Sequence, residues 1–232
     1  MESRVGTLFM PGPKHLRLDI GYRFDVTTIS LGDTALKPIV VDSDFFTLTR
    51  LRSEGNFKFP VETIDYWFGV GLHWQHSVWE MRMRLAHVST HLVDGYANAD
   101  GVFDRQKPFV YSREFVEYMV GPRLGIVRPY VGLTYVWATI PRSINRLIPQ
   151  IGCDVQAPVG NGHVVAGVDA RRSGFEGVSA FSTVVQAGYR FTGLGSTSTT
   201  VSLLRYDGRS VHGMFAAQND HYWALAVQIT PP

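Results

Sequence analysis

The chain has 232 residues, of which 45% are hydrophobic, with 23 glycines, 14 phenylalanines and 10 tyrosines, a composition that favours strands and turns over helices. The net charge of +2 comes without a basic patch, which excludes a nucleic-acid-binding protein. A single cysteine excludes an intramolecular disulfide and a cysteine-based zinc cluster, and no apolar run is long enough for a transmembrane helix.

Apolar and polar residues alternate along the first half of the chain with a period of two, which is typical of β-strands. The most regular run covers 16–26, and a less regular extended run follows at 38–51. The alternation returns over 64–74 and is followed by a tight turn at 75–77. The next strand is predicted over 79–91.

The strand over 79–91 has one apolar and one charged face, because successive side chains of a β-strand point to opposite sides. The apolar face ends in a histidine and a serine just before a long polar stretch. In a transmembrane barrel the apolar face meets lipid and the polar face lines the lumen. The odd positions are Trp79, Met81, Met83, Leu85, His87, Ser89 and His91, and the even ones are Glu80, Arg82, Arg84, Ala86, Val88 and Thr90.

The second half of the chain repeats the scheme of strands separated by polar or glycine-rich segments. Strands are predicted at 109–120, 127–137, 148–157, 164–171, 185–191, 198–206 and 222–229. Short connections near 75, 122, 160 and 194 alternate with long ones at 92–107, 140–147, 172–180 and 207–218. Outer-membrane barrels show this alternation, with tight periplasmic turns and longer outside loops.

Together these patterns predict an all-β protein with a single domain over 1–232, an antiparallel up-and-down transmembrane β-barrel. Bacterial barrels have even numbers of strands, so residues 3–10 are expected to complete a set of 12, with 10 as the alternative. Charges of both signs on the polar faces predict a narrow lumen filled by paired charges. The expected location is the bacterial outer membrane, with an export signal cleaved from the chain or missing, because residues 1–10 have no long apolar core.

Five stretches of the chain resemble a widespread bacterial family of outer-membrane barrel type whose function has not been established. In chain order they are LFMPGP, RLAHVSTHLVDGY, YSREFVEY, HVVAGVDARR and YDGRSVHGMF. The likeness spans most of the chain, and HVSTHLVDG is its most specific part. Members of the family usually begin with an export signal and further residues, whereas here LFMPGP lies close to Met1. The resemblance implies an outer-membrane barrel and no particular activity.

A narrower resemblance concerns the end of the strand over 79–91. A His-x-Ser pattern on the lipid-facing side of a barrel strand, at its outer end, is similar to what outer-membrane phospholipase A and the lipid A deacylases use. His87 and Ser89 match this pattern. Those enzymes continue with an asparagine-containing motif, whereas Thr90 and His91 follow here. The resemblance implies a lipid acyl-ester hydrolase with Ser89 as nucleophile and His87 as base.

Physical arguments favour the same chemistry. An ester in the outer leaflet has to be reached from the exterior of the barrel, and His87 and Ser89, two residues apart on one strand, share that face. A serine needs a base to take its proton, and the base needs an orienting partner. If the 92–107 loop closes a simple hairpin, Glu114 on the next strand comes near both residues. We therefore predict the catalytic set His87, Ser89 and Glu114.

Other hypotheses fit the same residues. A histidine, a serine and a glutamate near a strand end can form rim hydrogen bonds in a noncatalytic barrel, such as a narrow channel, a scaffold or an adhesin. A soluble lipocalin-like barrel is disfavoured by the density of charge on the polar faces. No cofactor is expected, although calcium could be bound by His91, Asp94, Asp100 and Asp104. The expected partners are outer-membrane lipids and not nucleic acid, and the sequence leaves the oligomeric state open.

Overall fold

Twelve antiparallel strands form a closed barrel in the computed structural model, which describes residues 4–30, 32, 37–175, 177–193 and 197–231. Each strand pairs with its neighbours in sequence, and the first strand pairs with the last. No helix in these ranges is long and apolar enough to cross a membrane. The strands are β1 Arg4–Met10, β2 His15–Ile29, β3 Ile39–Arg52, β4 Val61–His76, β5 Trp79–Leu92, β6 Tyr111–Pro122, β7 Val127–Ile140, β8 Leu147–Val159, β9 Gly162–Phe175, β10 Val178–Thr192, β11 Ser198–Arg209 and β12 Asn219–Thr230.

The predicted up-and-down barrel of 12 strands is confirmed. The strand required by the even count is β1, which pairs with both β2 and β12 and closes the sheet. The regular runs at 16–26 and 64–74 lie inside β2 and β4. They were predictable because each barrel strand has one face to the interior and one to the exterior, which imposes a period of two.

The two faces of β5 have the orientation of a membrane barrel rather than of a soluble sheet. Its apolar odd positions point outward, and Leu85 is 55% exposed. Its even positions point into the lumen, where Arg84 is 1% exposed. The charged face that the sequence shows is therefore the inner one.

The connections differ between the two ends of the barrel. What we call the loop end carries the connections that follow β1, β3, β5, β7, β9 and β11, and their described residues are 11–14, 53–60, 93–110, 141–146, 177 and 210–218. The other end, the turn end, carries the connections that follow β2, β4, β6, β8 and β10, and their described residues are 30, 32, 37–38, 77–78, 123–126, 160–161, 193 and 197. Most of the long connections therefore lie at one end, as the alternation predicted.

The long loop predicted over 172–180 is wrong. β9 runs on to Phe175 and β10 begins at Val178, and the ladder between them includes the pair Ser173 and Ala180. Backbone hydrogen bonds continue through small and polar residues, so a prediction from composition placed the ends of these strands too early. The turn predicted around 194 lies partly in residues 194–196, which are outside the described ranges.

Side chains of opposite charge fill the middle of the lumen. Arg84 of β5 donates two hydrogen bonds to Asp44 of β3, and its Nε lies 2.7 Å from Oδ2. Arg82 lies 3.3 Å from the same carboxylate. Room for the arginine comes from β4, because a Cβ on Gly69 would lie 2.5 Å from Arg84 Nε. The paired charges expected in the lumen are thus observed, and a glycine makes space for them.

Nearer the loop end, apolar side chains fill the lumen, and the sequence analysis did not predict this. Ala86 and Val88 of β5 and Phe115 of β6 point inward and are buried. Three loops of the loop end fold in to meet them, contributing Tyr96, Ile144, Met214 and Phe215. The interior therefore contains buried side chains at two levels, one charged and one apolar.

A buried carboxylate fastens the 210–218 loop to the inside of the wall. Asp65 of β4 accepts hydrogen bonds from His212 Nδ1 at 2.5 Å, from Gly213 N at 2.9 Å and from the Thr90 hydroxyl of β5. All three side chains are buried. We call Asp65, Thr90 and His212 the inner latch. Because a buried carboxylate without partners is unfavourable, these contacts hold the loop inside the barrel.

We expect His212→Ala to release the 210–218 loop and to lower the free energy of unfolding by about 1–3 kcal/mol, because Asp65 loses a buried partner. Limited proteolysis of the detergent-folded protein, with the cut sites read by mass spectrometry, checks the loop, and urea titration measures the energy. His221→Ala is the matched control, since His221 is an exposed histidine of β12 that pairs with an exposed Asp207. Equal protection of the loop in both variants would contradict the latch.

Candidate active site

The hairpin of β5 and β6 places four polar side chains on the outer face of the wall. His87 lies opposite Glu114 in the ladder, and Ser89 lies opposite Ser112. All four share the outward parity of the exposed apolar residues on their strands. They lie toward the loop end, where the two strands approach the 93–110 connection. The register that brings Glu114 to His87 is therefore present.

His87 and Glu114 are in direct contact, with 2.9 Å between Nδ1 and Oε1. An ionised carboxylate can only accept a hydrogen bond, so Nδ1 carries the proton and Nε2 is left as the basic nitrogen. The side chains are 41% and 34% exposed, so both can be reached from outside the barrel. A general base that serves a serine needs this orientation.

Ser89 lies two residues beyond His87 on the same face and is half-buried. In the part of the chain that the structure describes, no hydrogen bond joins its hydroxyl to His87. The structure therefore brings the histidine and the glutamate into contact and places the serine beside them. Catalytic hydrogen bonds are commonly long in unliganded enzymes and shorten when the substrate binds.

Ser112 is a member of the site that the sequence analysis missed. Its hydroxyl donates a hydrogen bond of 3.2 Å to Glu114 Oε1, the oxygen that also accepts from His87. Ser112 lies two residues before Glu114 and therefore on the same face of the strand. The hairpin register that was assumed for Glu114 also places Ser112 opposite Ser89, so the sequence carried this signal. The hydroxyl holds the carboxylate in place toward the imidazole.

A β-bulge lies directly beside Glu114. Glu114 pairs with Ala138 of β7, whereas the next residue of β6 pairs with Val136, so Trp137 is the extra residue. Bulges bend a strand and redirect its side chains, and they are common next to active sites. Next to this one is a groove of about 510 Å³, the rim groove, lined by Ser112, Glu114, Trp137, Ala138, Thr139, Ile140, Arg142 and Arg146.

Aromatic rings cover the opposite side of the site, on β3 and β4. The Phe68 ring lies 6.3 Å from the His87 ring and 5.0 Å from the Phe45 ring, measured between centroids. Tyr66 meets the His91 ring edge-on at 5.9 Å. Phe45 and Phe68 are both exposed on the outer face. His87 therefore has an apolar wall on one side and the rim groove on the other.

The residues expected to bind calcium are not gathered into a site. Asp94 accepts a hydrogen bond of 2.9 Å from the next backbone N–H, and Asp104 accepts one of 3.2 Å from Asn98. Within the described ranges, no group of three or more His, Cys, Asp or Glu side chains could hold a metal ion. The calcium set of His91, Asp94, Asp100 and Asp104 is therefore not assembled in this structure.

Solved structures with a similar fold are outer-membrane proteins. Outer membrane phospholipase A from Escherichia coli has a TM-score of 0.63 at 9% sequence identity, covering 99% of this chain and 90% of that chain. The Salmonella typhi outer membrane phospholipase dimer with bound calcium has a TM-score of 0.61 at 9% identity, covering 99% and 91%. LpxR from Salmonella typhimurium has a TM-score of 0.50 at 13% identity, covering 93% and 88%.

No protein-family model and no curated protein matches the chain. At 9–13% identity the structural similarity establishes the fold and leaves the chemistry to be argued from the site. The chain has the architecture of an outer-membrane β-barrel.

Proposed function

We propose that the protein is an outer-membrane lipid hydrolase that cleaves acyl esters at the outer face of its barrel. The observation that carries the proposal is the 2.9 Å hydrogen bond between His87 and Glu114 on the face that also holds Ser89. A carboxylate on an apolar outer wall is energetically unfavourable, and carboxylates found there are usually paired or functional. Activation of Ser89 would explain why both groups lie there.

The outer wall supports a membrane location. Exposed apolar side chains surround the barrel on the turn-end side of the site, where a water-soluble protein would rarely expose a continuous apolar surface. Outer-membrane barrels present such a surface to lipid. Members of this surface are Val70, Leu72, Met83, Leu85, Tyr118, Leu133, Tyr135, Leu203 and Leu225. On this proposal the loop end faces the outside of the cell.

The filled interior favours an exterior site over a channel. Arg84 and Asp44 occupy the middle of the lumen, and the apolar cluster around Val88 and Phe115 occupies the part nearer the loop end. A lipid ester in the membrane meets the outer wall of the barrel. His87, Ser89 and Glu114 lie on the side that lipid can reach.

We assign steps of the reaction to the three side chains and water. Ser89 Oγ forms a bond to the ester carbonyl carbon as His87 Nε2 takes its proton. The intermediate collapses, the bond to the lipid oxygen breaks, and His87 gives that oxygen the proton, so the lipid leaves as an alcohol. Water then attacks the acyl-serine and gives a proton to His87. The second collapse releases the fatty acid, and the proton returns to Ser89.

Glu114 acts on the imidazole and not on the ester. It fixes the tautomer with the proton on Nδ1 and stabilises the imidazolium that forms in each half of the reaction. Ser112 shares the same carboxylate oxygen and limits its rotation.

Two of the structural neighbours are phospholipases by name, which agrees with a lipid ester as the substrate. One of them contains bound calcium. In this chain the described residues form no cluster of ligands for a metal ion, so we assign no step to calcium. Calcium is therefore a variable of the assay.

Fatty-acid release by the detergent-folded protein tests the proposal. The substrates are phospholipid and lipopolysaccharide in mixed micelles, each with calcium and with a chelator, beside the Ser89→Ala variant. Release by the wild type that the variant lacks supports the hydrolase. A folded wild type that releases no fatty acid from either lipid contradicts it, and the protein is then a noncatalytic barrel.

We expect Glu114→Ala to lower kcat about a hundredfold with little change in KM, because the histidine loses the group that orients it. Glu114→Gln keeps an oxygen that can accept from Nδ1 but lacks the charge, so its kcat should lie between those of Glu114→Ala and the wild type. Steady-state kinetics on micellar lipid measures both. If Glu114→Ala and the wild type have the same kcat, Glu114 has no role in the reaction.

A further inference from the structure

Two arginines line the rim groove together with Glu114. Arg142 and Arg146 belong to the connection between β7 and β8, and both are exposed. Among the described residues, neither guanidinium has a carboxylate partner within ion-pair distance. Most other arginines of the barrel do have one, as the pairs of Arg84, Arg128 and Arg171 show. The groove therefore carries two arginines and one carboxylate, Glu114, and no ion pair among the described residues joins that carboxylate to either arginine.

The loop that carries the two arginines is fixed at several points. Ile144 is buried in the apolar cluster of the lumen. Asn145 donates a backbone hydrogen bond of 3.0 Å to the Gly174 carbonyl and a side-chain bond of 2.8 Å to the Ser179 hydroxyl. The Arg146 carbonyl accepts from Val136 N at 2.8 Å. Since the residues between the arginines are anchored, the backbone that carries both side chains is held beside the groove.

The environment of His87 is therefore asymmetric. Toward β4 and β3 it meets the exposed rings of Phe68 and Phe45, which suit an acyl chain. Toward β7 it contacts Glu114, which lines the rim groove together with Arg142 and Arg146. Guanidinium groups bind phosphate oxygens through paired charge-assisted hydrogen bonds. A lipid whose ester lies at Ser89 would thus have its chain over the rings and its phosphate over the arginines.

We propose that Arg142 and Arg146 form the headgroup subsite of the enzyme and bind the phosphate of an anionic lipid. This rests on the proposed function, because it assigns the substrate class of the same site. Two guanidinium groups that form no ion pair with any described carboxylate favour a phosphate whose charge is not balanced by an amine in the same headgroup. Phosphatidylglycerol has such a phosphate, whereas phosphatidylcholine balances it with a quaternary ammonium group.

The test compares three esters on the detergent-folded protein: phosphatidylglycerol, phosphatidylcholine and an uncharged p-nitrophenyl acyl ester. The variants are Arg142→Gln, Arg146→Gln and the double substitution. Arg172→Gln is the matched control, because Arg172 is exposed on the outer face of β9 near the loop end and outside the groove. We expect each groove substitution to raise KM for phosphatidylglycerol about tenfold, the value of one lost charge-assisted bond. The groove substitutions should leave the turnover of the p-nitrophenyl ester unchanged. Arg172→Gln should have the KM of the wild type for phosphatidylglycerol.

A double variant that still prefers phosphatidylglycerol to phosphatidylcholine as strongly as the wild type overturns the headgroup subsite and leaves the hydrolase intact. If the folded wild type cleaves none of the three esters, the hydrolase fails. The subsite is then judged by binding. Trp137 lines the groove, so brominated phosphatidylglycerol should quench its fluorescence, read as the difference from Trp137→Phe. If the apparent affinity for brominated phosphatidylglycerol, read from the quenching, falls about tenfold in the double variant, the subsite is supported. An unchanged apparent affinity overturns it.

Discussion

The Ser89→Ala variant is expected to lose at least about a thousandfold in kcat for lipid hydrolysis while it retains the barrel. Removal of the nucleophile eliminates the acyl-enzyme route and leaves only direct attack by water at a bound ester. Folding should be unaffected, because the side chain lies on the outer wall and no hydrogen bond within the described ranges depends on it. Fatty-acid release at saturating lipid measures the loss, and heat-dependent gel migration shows that the barrel is folded.

Ser112→Ala is the matched control, since the two serines lie opposite each other in the same ladder. Ser112 holds Glu114 and does not attack the ester, so its removal should lower kcat only about tenfold, the value of one hydrogen bond to a charged group. If Ser112→Ala is the inactive variant and Ser89→Ala retains most of its rate, the nucleophile is Ser112. If both variants equal the wild type, the release of fatty acid does not arise at this site.

Arg84→Ala is expected to lower the free energy of unfolding by about 3–5 kcal/mol, the usual cost of leaving one member of a buried ion pair alone. Arg84 is 1% exposed, and its two hydrogen bonds go to the fully buried carboxylate of Asp44. Arg82 remains 3.3 Å from that carboxylate and can compensate in part, which places the effect toward the lower end of the range. Urea titration of the protein in lipid vesicles measures the change.

The double variant Arg84→Met with Asp44→Leu measures the net contribution of the ion pair to stability. Arg84→Ala measures in addition the cost of leaving one charge buried without its partner. Both charges are then absent, so we expect a smaller loss of stability than in Arg84→Ala. Arg172→Ala removes an exposed arginine from the outer wall and should change stability by no more than about 0.5 kcal/mol. A change below about 1 kcal/mol for Arg84→Ala would show that water or a rearranged Arg82 satisfies Asp44.

The barrel was predictable from sequence because its main constraint is local. Every strand must alternate between lumen and exterior, so the two-residue period along β2, β4 and β5 also identifies the face on which His87 and Ser89 lie. The same reasoning, with the hairpin register assumed, placed Glu114 beside His87. The contact between them is a consequence of strand parity and one connection, both of which can be read from the chain.

Features that depend on three-dimensional contacts between distant segments were not predictable. The apolar cluster in the lumen joins β5 to residues of the 141–146 and 210–218 loops, and nothing local in those loops indicates that they fold inward. The rim groove depends on the bulge at Trp137, which arises from the pairing of β6 with β7. Arg142 and Arg146 look like ordinary loop arginines until that pairing is known.

The inner latch has a consequence for how the protein matures in the cell. Thr90, the residue after Ser89, donates a hydrogen bond to the carboxylate of Asp65. The same carboxylate accepts from His212, which lies 147 positions later, in the 210–218 loop. The inside of the serine-bearing strand is therefore completed only when the final hairpin joins the barrel. We expect an unfinished barrel in transit to hold Ser89 on a strand that is still loose. On the proposed function, hydrolysis would therefore require the complete barrel, including its final hairpin.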